Sequence, residues 1–162
     1  MPIYSDDVAS AYENYRHSQW VRFSGISALV AGILVPVFSV LDYLVYPELF
    51  WLFVKLRAGC TLVIVLLIVS SVVTENRYVK LFTLIGGVTI QMMINYMVMV
   101  TEGAESGYYA GLNLTVIAMG LILPAVLYET IIFSAGTATL YASACVLSGK
   151  TDRKSTRLNS SH

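Results

Sequence analysis

Residues 102–124 read EGAESGYYAGLNLTVIAMGLILP. The stretch opens as a polar loop broken by glycine (Glu102, Gly103, Glu105, Ser106, Gly107). It passes through Tyr108, Tyr109, Gly111 and Asn113, then runs apolar to Pro124. Two phenols and an amide therefore stand where a loop enters a helix suited to hydrocarbon. A soluble surface helix alternates apolar and polar faces; this one does not. Several other runs are also apolar all round for roughly 18–25 residues, enough to cross a ~30 Å hydrocarbon core. The alternating strands of about ten residues that build a membrane barrel are absent from the sequence. The fold class read here is all-α: a polytopic helical membrane bundle of five transmembrane helices, preceded by a short amphipathic N-terminal helix.

Composition narrows the function classes. Hydrophobic residues make up 57% of the chain, charged residues 12%, and the formal net charge is zero. That excludes a disordered tail and a basic nucleic-acid binder. Cys60 and Cys145 lie in apolar runs without CxxC spacing or a neighbouring histidine. Packing is their expected role, and no metal site or cofactor is expected. The first apolar run follows some twenty mixed residues and is too long for a signal-peptide core, so no cleavable leader is expected.

The last eleven residues, 152–162, read DRKSTRLNSSH. They resemble, codon by codon, the in-frame translation of a common short-read sequencing adapter, and are read as a non-native tail. The natural sequence is then expected to be interrupted near Thr151. Without the tail, seven Lys/Arg face nine Asp/Glu, a balance of 7 − 9 = −2.

Residues 1–22 are polar with interleaved aromatics. Ser5, Asp6 and Asp7 form a helix start, and Val8, Ala11, Tyr12 and Tyr15 recur at helical spacing. The expectation is a surface helix on the cytoplasmic side, with Trp20 at headgroup level and His17 exposed. The bundle is expected over 23–148, with crossings at about 23–41, 56–73, 81–101, 109–127 and 130–147. Pro36 can kink the first. Asp42 and Glu48 bracket Tyr43 and Tyr46 at its far end. Lys55 and Arg57 stand at the edge of the second crossing; they either snorkel to the headgroups or Arg57 pairs with Asp42 or Glu48. In the third, Gln91 and Asn95 share a face suited to interhelical hydrogen bonds. Met92, Met93, Met97 and Met99 keep no single face and read as core filler. Small residues of the fifth (Ser134, Ala135, Gly136, Ala138, Ala142, Ser143) predict tight packing inside the bundle. Basic residues in short loops favour a cytoplasmic N-terminus.

Taken together, LDYLVYPE at 41–48, the Lys55–Arg57 edge, EGAESGYYAGLNL at 102–114, Pro124 and Glu129 resemble a bacterial module. It is the N-terminal six-helix membrane region of multidomain signalling proteins: sensor histidine kinases, hybrid kinases and class III nucleotide cyclases. The resemblance covers about 16–147 and is most specific at YYAGLNL. It implies a sensory input domain in the bacterial inner membrane, joined by a sixth helix to a catalytic output domain. Neither that helix nor kinase or cyclase motifs occur in this sequence, so the chain itself is expected to be no enzyme. Two-component signalling, a homodimer formed through the full-length protein, and a small-molecule or lipid stimulus are further expectations, with no nucleic acid.

The candidate ligand-sensing or helix-anchoring residues are Glu102, Glu105, Tyr108, Tyr109 and Asn113, with Asp42 and Arg57 as neighbours. Two other readings stay open: a small transporter or channel, and a passive anchor or dimerisation bundle. Against transport stand the lack of deep unpaired charges and of broken-helix inverted repeats.

Overall fold

A computed structural model describes residues 6–159, with side chains from 8 to 148. The described residues form six α-helices: α1 (Asp6–Val37), α2 (Ser39–Val45), α3 (Phe50–Val73), α4 (Val79–Val100), α5 (Tyr109–Leu121) and α6 (Leu127–Asn159). Single 3-10 turns lie at Pro47–Leu49 and Gly103–Glu105.

Residues 6–22 and the first apolar run share one unbroken helix, α1. No proline interrupts it before Pro36, so helix propagation continues through the polar-to-apolar boundary. Ser5, the expected cap, lies outside the described residues. Pro36 lacks the N–H that would bond the Gly32 carbonyl, and the helix is interrupted just beyond, at Phe38, before α2 resumes. The far end of this first pair is where Asp42 sits.

The helices run alternately up and down. α1 meets the start of α4 where the Ser24 and Thr83 hydroxyls stand 2.7 Å apart and Trp20 lies under the Lys80 ammonium. Trp20 is thereby buried at 3% exposure rather than facing headgroups. His17 donates to the Asn76 carbonyl at 3.1 Å, fastening α1 to the α3–α4 turn. α4 and α6 are parallel: Lys80 and Glu129 pair near their starts, and Gly103, just past α4, abuts Ser148 of α6. α5 runs back between them, with Gly111 against Ile94 of α4 and Gly120 against Thr130 of α6.

Four segments are long and apolar enough to cross a membrane: 8–45, 47–73, 79–100 and 127–148. The expected crossing at 109–127 is shorter. α5 has 13 residues, about 20 Å at 1.5 Å per residue. Pro124 disfavours helix at residue 123 and supplies no N–H, so 122–126 continue without helix.

The core gathers Val35, Phe53, Cys60, Ile64, Met93, Met97 and Leu112. Met92 is 55% exposed, so the methionines divide between core and periphery. Much of the outer surface is Leu, Ile and Val, as a lipid-facing surface requires. α6 departs from expectation. Thr137 and Ala144 are buried, but Ala135, Gly136, Ala138, Ala142 and Ser143 are exposed. α6 touches α4 and α5 on one side only, so most of its small residues look outward. The α6 backbone is helical to Asn159 and so runs into the DRKSTRLNSSH string.

Candidate functional site

At the end of the bundle where α2 meets α3, a carboxylate is completely enclosed. Asp42 has 0% exposure and Arg57 6%. Arg57 donates from Nε to Asp42 Oδ2 at 2.6 Å and from the guanidinium Nη2 to Oδ1 at 2.9 Å. This two-pronged geometry is what a planar guanidinium offers a carboxylate. Nη1 donates to the Val35 carbonyl at 3.2 Å, beside the α1–α2 break. Of the alternatives at this edge, Arg57 takes the pairing with Asp42. Lys55 and Glu48 remain exposed.

Tyr108 completes the cluster. Its hydroxyl donates to Asp42 Oδ1 at 2.7 Å. Its ring stacks on Tyr46 at a centroid distance of 5.7 Å and meets Phe53 edge-on at 5.5 Å. Tyr46 in turn donates to Glu102 Oε2 at 3.2 Å. Burial first, then the Asp42 carboxylate, push the Tyr108 phenol above its ordinary value. Burial and then Glu102 push Tyr46 the same way.

The loop before α5 is shaped to deliver Tyr108. Gly103 has φ +59°, a region that favours glycine, and a Cβ there would sit 2.9 Å from Ser148 Oγ. Ser106 is fully buried; its hydroxyl lies 2.8 Å from Thr101 Oγ1 and accepts the Tyr108 N–H at 3.4 Å. The loop is thus pinned to α4 and α6, and Tyr108 points inward.

Of the sequence-predicted residues, Asp42, Arg57 and Tyr108 come together, and Glu102 joins through Tyr46. Glu105, Tyr109 and Asn113 are exposed and stand apart from the cluster. Tyr109 and Asn113 do share a face, as their spacing predicts, but it is α5's outer one. Sequence reading missed Phe53, the Val35 carbonyl and the loop-pinning role of Ser106. It placed Tyr46 only between Asp42 and Glu48 at the far end of the first crossing.

Further polar contacts lie away from the cluster. Gln91 bonds Thr137 of α6, and Asn95 Nδ2 donates to the Gln91 carbonyl at 2.9 Å. Lys80 pairs with Glu129, which also accepts the Val126 N–H at 3.2 Å and so closes the start of α6. No group of three or more His, Cys, Asp or Glu able to hold a metal ion occurs among the described residues.

A cleft of about 570 Å³ opens beside the cluster. α1 and α2 form one wall, α3 and α4 the floor and α5 the other wall, and Asp42, Arg57 and Tyr108 line one end. A bundle of apolar helices with one enclosed, fully paired ionic cluster is the setting in which the family comparison becomes informative. Residues 40–160 match the family MASE8, a membrane-associated sensor domain family. The chain belongs to the MASE8 family. The MASE8 match begins two residues before Asp42, so it contains the whole Asp42–Arg57–Tyr108 cluster and excludes all of α1. Residues 152–160 of the match fall within the string read as adapter. No curated protein and no solved structure matches the chain.

Proposed function

We propose that this chain is the membrane-embedded sensory input region of a bacterial signal-transduction receptor. Its N-terminus lies on the cytoplasmic side of the inner membrane, and a further crossing after α6 leads back to a cytoplasmic catalytic output domain of kinase or cyclase type. The receptor works as a homodimer. Membership of a membrane-associated sensor family supports the sensory part of this reading. The kinase or cyclase context rests on the resemblance of the sequence to such receptors, and the outward small-residue face of α6 suits a helix partner.

The observation that carries the reading is the Tyr108–Asp42–Arg57 cluster. It joins α2, α3 and the α4–α5 loop through charge-assisted bonds in a buried place. Intramembrane ionisable groups are costly and mark function by default. A paired arrangement of this kind has a second state, in which the phenol leaves the carboxylate. A stimulus acts by binding one state better than the other. Transport has less behind it: Asp42 and Arg57 are paired, and Gln91 is engaged with Thr137, although the Oδ1 of Asn95 is buried without a partner among the described residues.

The test is a chimera in which a further transmembrane helix joins α6 to a cytoplasmic kinase or cyclase domain. Asp42→Asn should shift its basal output. Output unchanged by any substitution in the cluster would remove the reading.

A further inference from the structure

Tyr46 makes three contacts that converge on the buried carboxylate. Its backbone N–H donates to the Asp42 carbonyl at 2.9 Å and closes α2. Its ring lies against the Tyr108 ring, with centroids 5.7 Å apart and planes 27° from parallel. Its hydroxyl donates to Glu102 Oε2 at 3.2 Å. One side chain therefore touches the end of α2, the phenol that reaches Asp42, and the turn that begins the loop to Tyr108.

Two aromatic neighbours hold the Tyr108 ring, and they differ in freedom. Phe53 meets it edge-on at 5.5 Å and has 0% exposure. A ring in a close-packed core has little room to turn out. Tyr46 is only half-buried and stands where the chain leaves α2, at φ −133° and ψ 66°. What its hydroxyl holds therefore decides where its ring sits. The holder, Glu102, is exposed and forms no ion pair among the described residues. Because the acceptor is a carboxylate, the bond is charge-assisted. Glu102 stands six positions before Tyr108 in the loop, yet the two side chains make no hydrogen bond with each other. Tyr46 stands between them.

We propose that Tyr46 is a positioning residue for the Tyr108–Asp42–Arg57 cluster, and that the exposed Glu102 governs it through the Tyr46 hydroxyl. Held by Glu102, the Tyr46 ring keeps the Tyr108 hydroxyl on Asp42. Released, Tyr46 turns about its side chain, and Tyr108 loses one of the two rings that align it. A group that competes for the Glu102 carboxylate thus acts on a buried carboxylate that it never touches. The regulatory meaning of this link rests on the sensory reading, whereas the positioning itself is read without any signalling assay.

The test places a ring-fluorinated tyrosine at position 108 of the full chain in detergent micelles and follows its fluorine NMR signal at neutral pH. Glu102→Ala and Tyr46→Phe each remove one side of the same hydroxyl–carboxylate bond, and both leave an aromatic ring at position 46. Glu102 is exposed and Tyr46→Phe is conservative, so both variants keep the fold. Each should move the signal by more than its linewidth. The double variant should move it no further than either single one, because one link serves both residues. Glu105→Ala, which removes an exposed acid of the same loop, should leave the signal in place. An unmoved signal in Glu102→Ala or in Tyr46→Phe would overturn the proposal. Additive displacements would overturn it too, because the loop would then act on Tyr108 through its own backbone. So would a displacement by Glu105→Ala as large as that by Glu102→Ala. If the cycle fails while cluster substitutions still change the chimera's output, the positioning role falls and the sensory reading stands. If the cycle holds while the output ignores the cluster, the sensory reading falls and the positioning role stands.

Discussion

The Tyr108 hydroxyl meets Asp42 Oδ1 at 2.7 Å across 66 positions of sequence. That one bond closes the end of a cleft whose walls otherwise stand apart. It also makes the phenol at the mouth of α5 a partner of a buried ion pair rather than a headgroup anchor. The carboxylate it reaches is shared with Arg57, so the three side chains stand or fall together.

The first consequence concerns pH. Burial and the adjacent carboxylate raise the Tyr108 phenol above its ordinary 10.0. A raised folded value means that the protonated phenol stabilises the fold fully below the unfolded value near 10. That contribution is lost only as pH rises through the higher folded value. Tyr108 should therefore stay protonated just above pH ~10. Just above pH ~10, Tyr108→Phe should give the same tyrosinate absorbance as the unaltered chain, despite having one phenol fewer. A variant amplitude lower by one phenol would show Tyr108 titrating with the rest.

The ion pair gives the second. Arg57→Met strands a carboxylate with 0% exposure, and Asp42→Asn strands a guanidinium with 6%. Each should cost about 3–5 kcal/mol in denaturant unfolding from detergent micelles. The double variant Asp42→Leu with Arg57→Met should lose much less than the sum, because no charge is left unpaired. Additive losses would mean that the two groups do not depend on each other.

Lys80–Glu129 should behave differently. The Lys80 side chain keeps 37% exposure, so solvent weakens the attraction. Glu129→Gln should cost only about 0.2–1 kcal/mol by the same unfolding assay. A loss as large as that of Asp42→Asn would put a second buried ionic centre at the opposite end of the bundle.

The α4–α5 loop supplies a paired comparison of glycines. Gly103 combines φ +59° with a Ser148 Oγ only 2.9 Å from a Cβ position, whereas nothing lies within 4 Å of one at Gly107. Gly103→Ala should destabilise by about 1–2 kcal/mol, and more if Ser148 cannot yield. Gly107→Ala should be neutral or slightly stabilising. Thermal unfolding of the two variants decides it, and equal midpoints would contradict the shape of the loop.

Helix type and the long apolar runs were legible in the sequence, because hydrophobicity on all sides over some twenty residues has few other solutions. The meeting of Asp42 and Arg57 was legible only as one alternative, beside snorkelling to the headgroups or a pairing with Glu48, because hydropathy does not say which carboxylate the guanidinium reaches. The choice between Tyr108 and Tyr109 was not legible. Adjacent residues on a helix point about 100° apart, and the loop conformation sets at Gly103 and Ser106 which one turns inward. Asn113 followed Tyr109 to the outside because the two share a face. The small residues of α6 misled for a related reason: they announce a close neighbour without saying which one. Neither the continuity of α1 through residue 22 nor the early end of α5 follows from hydropathy. The first reflects the absence of a helix breaker, the second the reach of Pro124 back along the chain.

The most direct test of a signalling role compares Tyr108→Phe with Tyr109→Phe in a chimera whose output domain is joined to α6 through a further transmembrane helix. Both remove one hydroxyl from adjacent residues. Only Tyr108→Phe breaks the bond to Asp42, which is worth about 1.5–3 kcal/mol for a charged acceptor. If the cluster balances two states, basal output should shift roughly tenfold or more with Tyr108→Phe and stay level with Tyr109→Phe. Equal outputs from both variants, in properly folded protein, would contradict the account.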